Sequence, residues 1–191
     1  MKICDTVNSK LYKNDRAILH SDCNCFYASV ECLLNPNIRD LPVAVSGDAE
    51  NRHGIILAKN EEAKKYNIKT GEAIWQAKKK CPQLLTVPAR LDVYKKFSDK
   101  VRRIYSDYTD MVEPFGLDEA WLDISEDYKN DALTIAEEIS QRVKDEIGIT
   151  VSIGVSFNKI FAKFGSDYKK PDAITCICLL YTSDAADDLL C

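Results

Sequence analysis

No stretch of the 191 residues carries an apolar run near the length that spans a bilayer, and no biased repeat interrupts the chain. A helix-spanned membrane protein and a fibrous one are thereby excluded. The polar, charged stretch from Met1 to Arg16 lacks the apolar centre of a secretory signal, so the expected location is the cytoplasm. There are eight cysteines, but no Cys-x-x-Cys pairs with another, and Cys23/Cys25 and Cys176/Cys178 are each separated by a single residue. That spacing argues against a zinc cluster or a disulfide framework and for reduced thiols. Nor is there an excess of positive charge, since a net charge of −4 argues against a surface that binds nucleic acid all round. Basic residues cluster instead at Lys78-Lys79-Lys80, Lys95-Lys96, Arg102-Arg103 and Lys169-Lys170, while acids gather from Glu126 to Glu138 and in the tail. Each basic cluster alone reads as a solvated helix face.

What is present is an ordinary globular composition, 46% apolar and 29% charged, at a length that suits one large domain or two small ones. The informative stretch is Phe115-Gly116-Leu117-Asp118-Glu119-Ala120-Trp121-Leu122-Asp123. On a regular strand Asp118 and Glu119 would point to opposite faces, so both can serve one site only at the turn of a hairpin that enters from Met111 and leaves through Ile124. Two carboxylates ~4 Å apart repel by about 4 kcal/mol at an effective dielectric of about 20, which calls for a cation or a shared proton. The ordinary reading of an arbitrary Asp-Glu pair is two solvated surface acids.

Taken in order, Ala17-Ile18-Leu19-His20-Ser21-Asp22 reads as a buried strand ending in an acid, where open α/β sheets tend to place catalytic groups and where a helix cap is the rival explanation. A helix follows with Phe26, Val30, Leu33 and Leu34 at helical spacing, stopped by Asn35-Pro36. Pro42 to Val45 and Gly54 to Ala58 read as strands, and Glu61 to Tyr66 and Glu72 to Lys80 as short helices. Leu91 to Tyr108 is an amphipathic helix whose apolar stripe is Val93, Phe97, Val101, Ile104, Tyr105 and Tyr108. Another runs from about Asp131 to Ile147, with Leu133, Ala136, Ile139, Val143 and Ile147 inward, and Gly148 ends it. Thr150 to Val155 alternates like a strand, and a last helix starts near Asn158 with Ile160, Phe161 and Phe164 on one side and Lys163 nearby. The order implies an α+β sandwich, a sheet covered by helices, with an insertion between its first and second parts.

Three stretches in sequence then carry a resemblance: His20-Ser21-Asp22-Cys23-Asn24-Cys25-Phe26-Tyr27-Ala28-Ser29-Val30-Glu31, Gly116 to Asp123, and Gly154 to Lys163. Together they resemble the Y-family translesion DNA polymerases of the UmuC and DNA polymerase IV type, over about Arg16 to Thr175. The resemblance implies a ferredoxin-like palm over 1–34 and 91–175, an inserted small α/β fingers subdomain over 35–90, and no thumb or little finger. Residues 176–191 match nothing in the family pattern and read as an atypical tail, out of frame or misassembled.

Carried over by position, the family's metal-binding acids fall on Asp22, Asp118 and Glu119, with the backbone carbonyl of Cys23 as a further ligand and two Mg²⁺ ions as the cofactor. Phe26 and Tyr27 fall at the nucleotide, Tyr27 as the ring that clashes with a ribose 2′-hydroxyl; a half-buried core tyrosine is the competing explanation. Lys163 and Lys64 fall at the triphosphate, Lys64 where many relatives carry an arginine, so that a point charge replaces a bidentate fork. Glu61 replaces a phosphate-contacting tyrosine and is given no role, and Asn24 replaces an aspartate that is not a ligand. The implied function is template-directed nucleotidyl transfer in damage bypass and the SOS response. Primer-template DNA and dNTP are the partners, and a sliding clamp is expected only for a full-length protein. This chain alone is expected to be inactive. A nucleotidyl cyclase shares the palm logic but needs neither Tyr27 nor the insertion, and a non-catalytic module that binds DNA or nucleotide is the third reading.

Overall fold

The computed structural model of the protein describes residues 16–47, 54–126 and 132–177. Expectations for residues 1–15, for a helix start at Asp131 and for the tail beyond Ile177 lie outside them. In chain order the elements are β1 (Ile18–Cys23), α1 (Phe26–Leu34), β2 (Val43–Ser46), β3 (Ile56–Lys59), α2 (Glu61–Lys64), α3 (Ile74–Lys80), β4 (Leu85–Pro88), α4 (Leu91–Ser106), β5 (Val112–Phe115), β6 (Glu119–Asp123), α5 (Ala132–Arg142), β7 (Val151–Ser156), α6 (Lys159–Tyr168) and β8 (Ile174–Cys176). The architecture is α+β, in two compact units: Met1–Asn24 with Ser98–Cys191, and Cys25–Phe97. The second unit thus takes in α1 and the start of α4, which the sequence reading had placed outside the insertion.

The first unit is built on a five-stranded sheet in the order β5-β6-β1-β7-β8, antiparallel except for the β7-β8 pair. With β6 on one side and β7 on the other, β1 is buried along its whole length even though it carries His20, Ser21 and Asp22. Such polar groups must find partners from the covering helices. Alternation along the strand sends His20 and Ser21 to opposite faces. His20 Nδ1 meets Ser166 Oγ of α6 at 2.8 Å, and Ser21 Oγ accepts from the Tyr105 hydroxyl of α4 at 2.8 Å. Leu19, Leu122, Ile124, Ile139 and Ile153 are fully buried around this frame.

In three helices an apolar position noted in the sequence lies off the buried face, and for Leu133 of α5 this corrects an inward expectation. The face of α6 that packs is Ala162, Gly165 and Ser166, whereas Ile160 is 78% and Phe164 51% exposed. The reason is Gly154 of β7, where a Cβ would lie 1.9 Å from the Ala162 carbonyl oxygen. Only small residues allow a helix so close, so the apolar stripe points away from the sheet. In α5, Ile135 is buried where Leu133 was expected to be, and the helix runs on as a π-turn, Val143–Ile147, before Gly148 at φ 85° ends it. Ala136, Ile139, Val143 and Ile147 are buried as the spacing predicts. In α1, Leu33 and Leu34 are exposed, the buried positions being Phe26, Ala28, Val30, Glu31 and Cys32. Cys176, assigned from the sequence to the atypical tail, is buried in β8 opposite Val155.

The second unit has its own three-stranded sheet, β3-β2-β4, in which β2 pairs antiparallel with β3 and parallel with β4. The short strand β4, ending in Pro88, was not anticipated. One core gathers Ala44, Ile56, Ala63, Ile68, Ala77, Cys81 and Leu84, and another joins Cys32 of α1 to Ile38 and Val43. Asn60 caps α2 by accepting from Ala63 N at 3.0 Å and also accepts from Val43 N at 3.0 Å.

Candidate metal and nucleotide site

In the first unit the hairpin β5-β6 turns at Gly116, whose φ of 71° suits a residue without Cβ. Its carbonyl accepts from Arg102 Nη2 of α4 at 2.5 Å. The turn brings the Asp118 carbonyl to the Cys23 amide at 2.9 Å, and the strand that follows sets Glu119 directly opposite Asp22 in the antiparallel register. Asp22 sits in a central strand, and Glu119 at the first position of its neighbour. Asp118, one residue earlier, is in the turn and free of the strand's alternation. The requirement that both acids sit at a hairpin turn is met in this way.

Two lysines converge on these acids. Lys163 Nζ of α6 lies 2.8 Å from Glu119 Oε2 and 3.4 Å from Asp22 Oδ2, and Lys170 Nζ lies 2.5 Å from Asp22 Oδ2. Asp167 stands behind both, 3.6 Å from Lys163 Nζ and 2.8 Å from Lys170 Nζ. Burial pushes the Asp22 carboxyl up from its ordinary range, and the Glu119 charge adds to this while Lys170 and Lys163 oppose it. Burial and then the Asp22 charge push Asp118 up too. Both lysines are held above their ordinary values in spite of burial, Lys163 by Glu119 and Lys170 by Asp167 and Asp22.

His20 completes the floor. It is fully buried, and burial followed by the Lys163 charge lowers its pKa to about 4. The Ser166 hydroxyl donates to the Lys163 carbonyl at 2.8 Å, so its oxygen accepts from His20 Nδ1, leaving Nε2 as a bare lone pair. That atom lies 3.2 Å from Glu119 Oε2 yet makes no hydrogen bond, so the contact is not an ion pair while the ring is neutral.

The predicted nucleotide residues Phe26, Tyr27 and Lys64 belong to the second unit. There Tyr27 stacks on Tyr94, ring centroids 4.3 Å apart and 13° from parallel, while Tyr94 donates to Glu31 Oε1 at 2.7 Å. Arg90 clamps the same Glu31 through Nε at 3.0 Å and Nη2 at 2.5 Å. Phe26 is buried beside Tyr27, and Lys64 pairs with Glu61 at 2.7 Å. Glu61 Oε1 also accepts from Cys25 Sγ at 3.1 Å, which gives that carboxylate local partners.

Residues 21–167 match the family described as IMS, impB/mucB/samB. The chain belongs to the impB/mucB/samB family. It is 61% identical over 164 residues to a DNA polymerase IV of Acetivibrio thermocellus, covering 85% of this chain and 41% of that protein. Among solved structures it resembles DinB from Sulfolobus solfataricus (TM-score 0.83, 30% identity, 88% of this chain and 50% of that one). It also resembles the Dbh DNA polymerase in an insertion ternary complex (TM-score 0.84, 29% identity, 90% and 52%). The chain spans about half the length of the relatives it matches.

In this member of the family the donor set suits a hard cation, because carboxylate and carbonyl oxygens are what Mg²⁺ takes, usually one or two carboxylates completed by water and substrate phosphate. Among the described residues no three acid, histidine or cysteine side chains converge into a cage. No helix among them is long and apolar enough to cross a membrane. Lys170, Asp167 and His20 take part in the site but were not singled out from the sequence. The spacing of Lys163 and Asp167 by one helical turn was the only available signal, and Lys170 read merely as half of a basic pair.

Proposed function

We propose that this chain is the palm and fingers part of a translesion DNA polymerase that adds deoxynucleotides to a primer under template direction and tolerates damaged templates. The reading rests on family membership, on relatives named as DNA polymerase IV, and above all on one observation: Asp22 and Glu119 face each other across adjacent strands, with Asp118 delivered beside them by the turn. The palm corresponds to 1–34 with 91–175 and the fingers to 35–90.

Asp22, Asp118 and Glu119, with the Cys23 carbonyl, would hold two Mg²⁺ ions. Bound there, these supply activation of the primer 3′-hydroxyl and neutralisation of the leaving pyrophosphate. The chain's own residues orient and select. Lys163 adds positive charge beside the acids, where a triphosphate would lie, and Lys64 supplies another in the fingers. Tyr27, stacked on Tyr94, would be the ring that excludes a 2′-hydroxyl. Primer-template DNA and dNTP are the proposed partners, with a sliding clamp for a longer form, and a role in damage repair of the SOS type is part of the same proposal.

Primer extension with Mg²⁺ tests this in a form extended to the length of the relatives. Asp118→Asn and Asp22→Asn should each lower the rate by about a hundredfold or more, as loss of a preorganised charge at a reacting centre does. Near-normal extension by either variant would overturn the assignment.

A further inference from the structure

The lysine that pairs most closely with Asp22 lies outside α6, in the loop after it. Lys170 Nζ bridges Asp22 Oδ2 at 2.5 Å and Asp167 Oδ1 at 2.8 Å, while Lys163 reaches the other Asp167 oxygen at 3.6 Å. The two carboxylates differ in kind. Asp22 is nearly buried in the central strand, and Asp167 is half exposed on the surface of the helix. Four carboxylates, Asp22, Asp118, Glu119 and Asp167, interact with two ammonium groups, which leaves two negative charges.

We propose that Lys170 is a tethered counter-ion that competes with a divalent cation for Asp22 and retires to Asp167 when the cation binds. The inference rests on the metal reading above and deepens it. An ammonium at 2.5 Å occupies the oxygen that a hard cation needs, and two like charges cannot share it in a half-buried site. Because Asp167 already holds the same ammonium, withdrawal from Asp22 gives up one of two carboxylate partners and strands no charge. The arrangement keeps Asp22 ionised and oriented before the cation arrives, and it sets the affinity below what the bare acids would reach.

Mn²⁺ binding to the 191-residue chain, read by the paramagnetic resonance of free Mn²⁺ and by calorimetry, tests this without any turnover. Lys170→Gln should tighten Mn²⁺ by about three- to tenfold, since the competing pair is lost. Lys169→Gln removes the same charge from an exposed neighbour and should change affinity much less. Asp167→Asn should weaken Mn²⁺ about threefold with Lys170 present and distinctly less in the Lys170→Gln background, where only its longer pairing with Lys163 is left. Circular dichroism melts confirm that each variant is folded. Equal shifts from Lys170→Gln and Lys169→Gln, or the same weakening by Asp167→Asn in both backgrounds, would overturn the proposal while leaving the metal site standing. Mn²⁺ affinity indifferent to Asp118→Asn would overturn the metal reading and this proposal together.

Discussion

Each unit buries a carboxylate near the start of its chain segment, and the two are treated in opposite ways. Glu31, in the second unit, is fully satisfied, with a bidentate arginine on both oxygens and a tyrosine hydroxyl on one. Asp22, in the first, shares its lysines with Glu119 and Asp167, is repelled by Glu119, and is pushed up by burial. A satisfied buried ion specifies a structure, whereas one left partly in conflict is poised to take something else. On the proposed function the acids of the first unit are the functional ones and Glu31 is structural, although all of them are carboxylates in or beside a core.

The comparison can be broken most severely at Gly154, because the Cβ of Gly154→Ala would meet backbone that cannot move aside. The expected loss is about 4 kcal/mol or more, or failure to fold, measured by chemical denaturation. Exchange protection should fall in the first unit and stay in the second. Glu31→Ala attacks the other side. It should cost about 1 to 3 kcal/mol and leave Mn²⁺ affinity unchanged, since it strands the buried Tyr94 hydroxyl while the half-exposed Arg90 can turn to water. Loss of Mn²⁺ binding without loss of stability would reverse the roles assigned to the two carboxylates.

A pH series sharpens the contrast next. His20 has a folded pKa of about 4 against an ordinary 6.5, so below about 6.5 the unfolded chain binds the proton and the folded one does not. Its contribution is therefore fully present above that range and lost as pH falls, by about 2 kcal/mol at about pH 5. The difference between the stability curves of the chain and of His20→Gln isolates this from the carboxylates, and a flat difference would show that the ring is not buried neutral. The smallest expected effect is a gain. Asp118 has a raised folded pKa, so its contribution is favourable only at low pH and lost as pH rises through that value. At neutral pH, Asp118→Asn should stabilise the chain by about 0.5 to 2 kcal/mol while removing metal affinity, the usual exchange at a functional site.

The sequence by itself determined the strand ending in Asp22, the hairpin carrying Asp118 and Glu119, the amphipathic α4 and the family, because alternation, turn chemistry and motif order are local or ordered along the chain. It did not determine which face of α6 packs. A hydrophobic stripe predicts burial only when the neighbour leaves room for it, and Gly154, distant in sequence, lets backbone approach backbone instead. Short β4 escaped for a related reason, being a strand only because β2 lies beside it in parallel register. Register across β1 and β6 decided that Asp22 faces Glu119, and the end of α6 decided that Lys170 reaches both Asp22 and Asp167. Charge pairing at a few ångströms between residues far apart in the chain exists only once the fold has closed, so the acids and Lys163 could be read from the sequence, but neither the pairing of Lys163 with them nor Lys170 could.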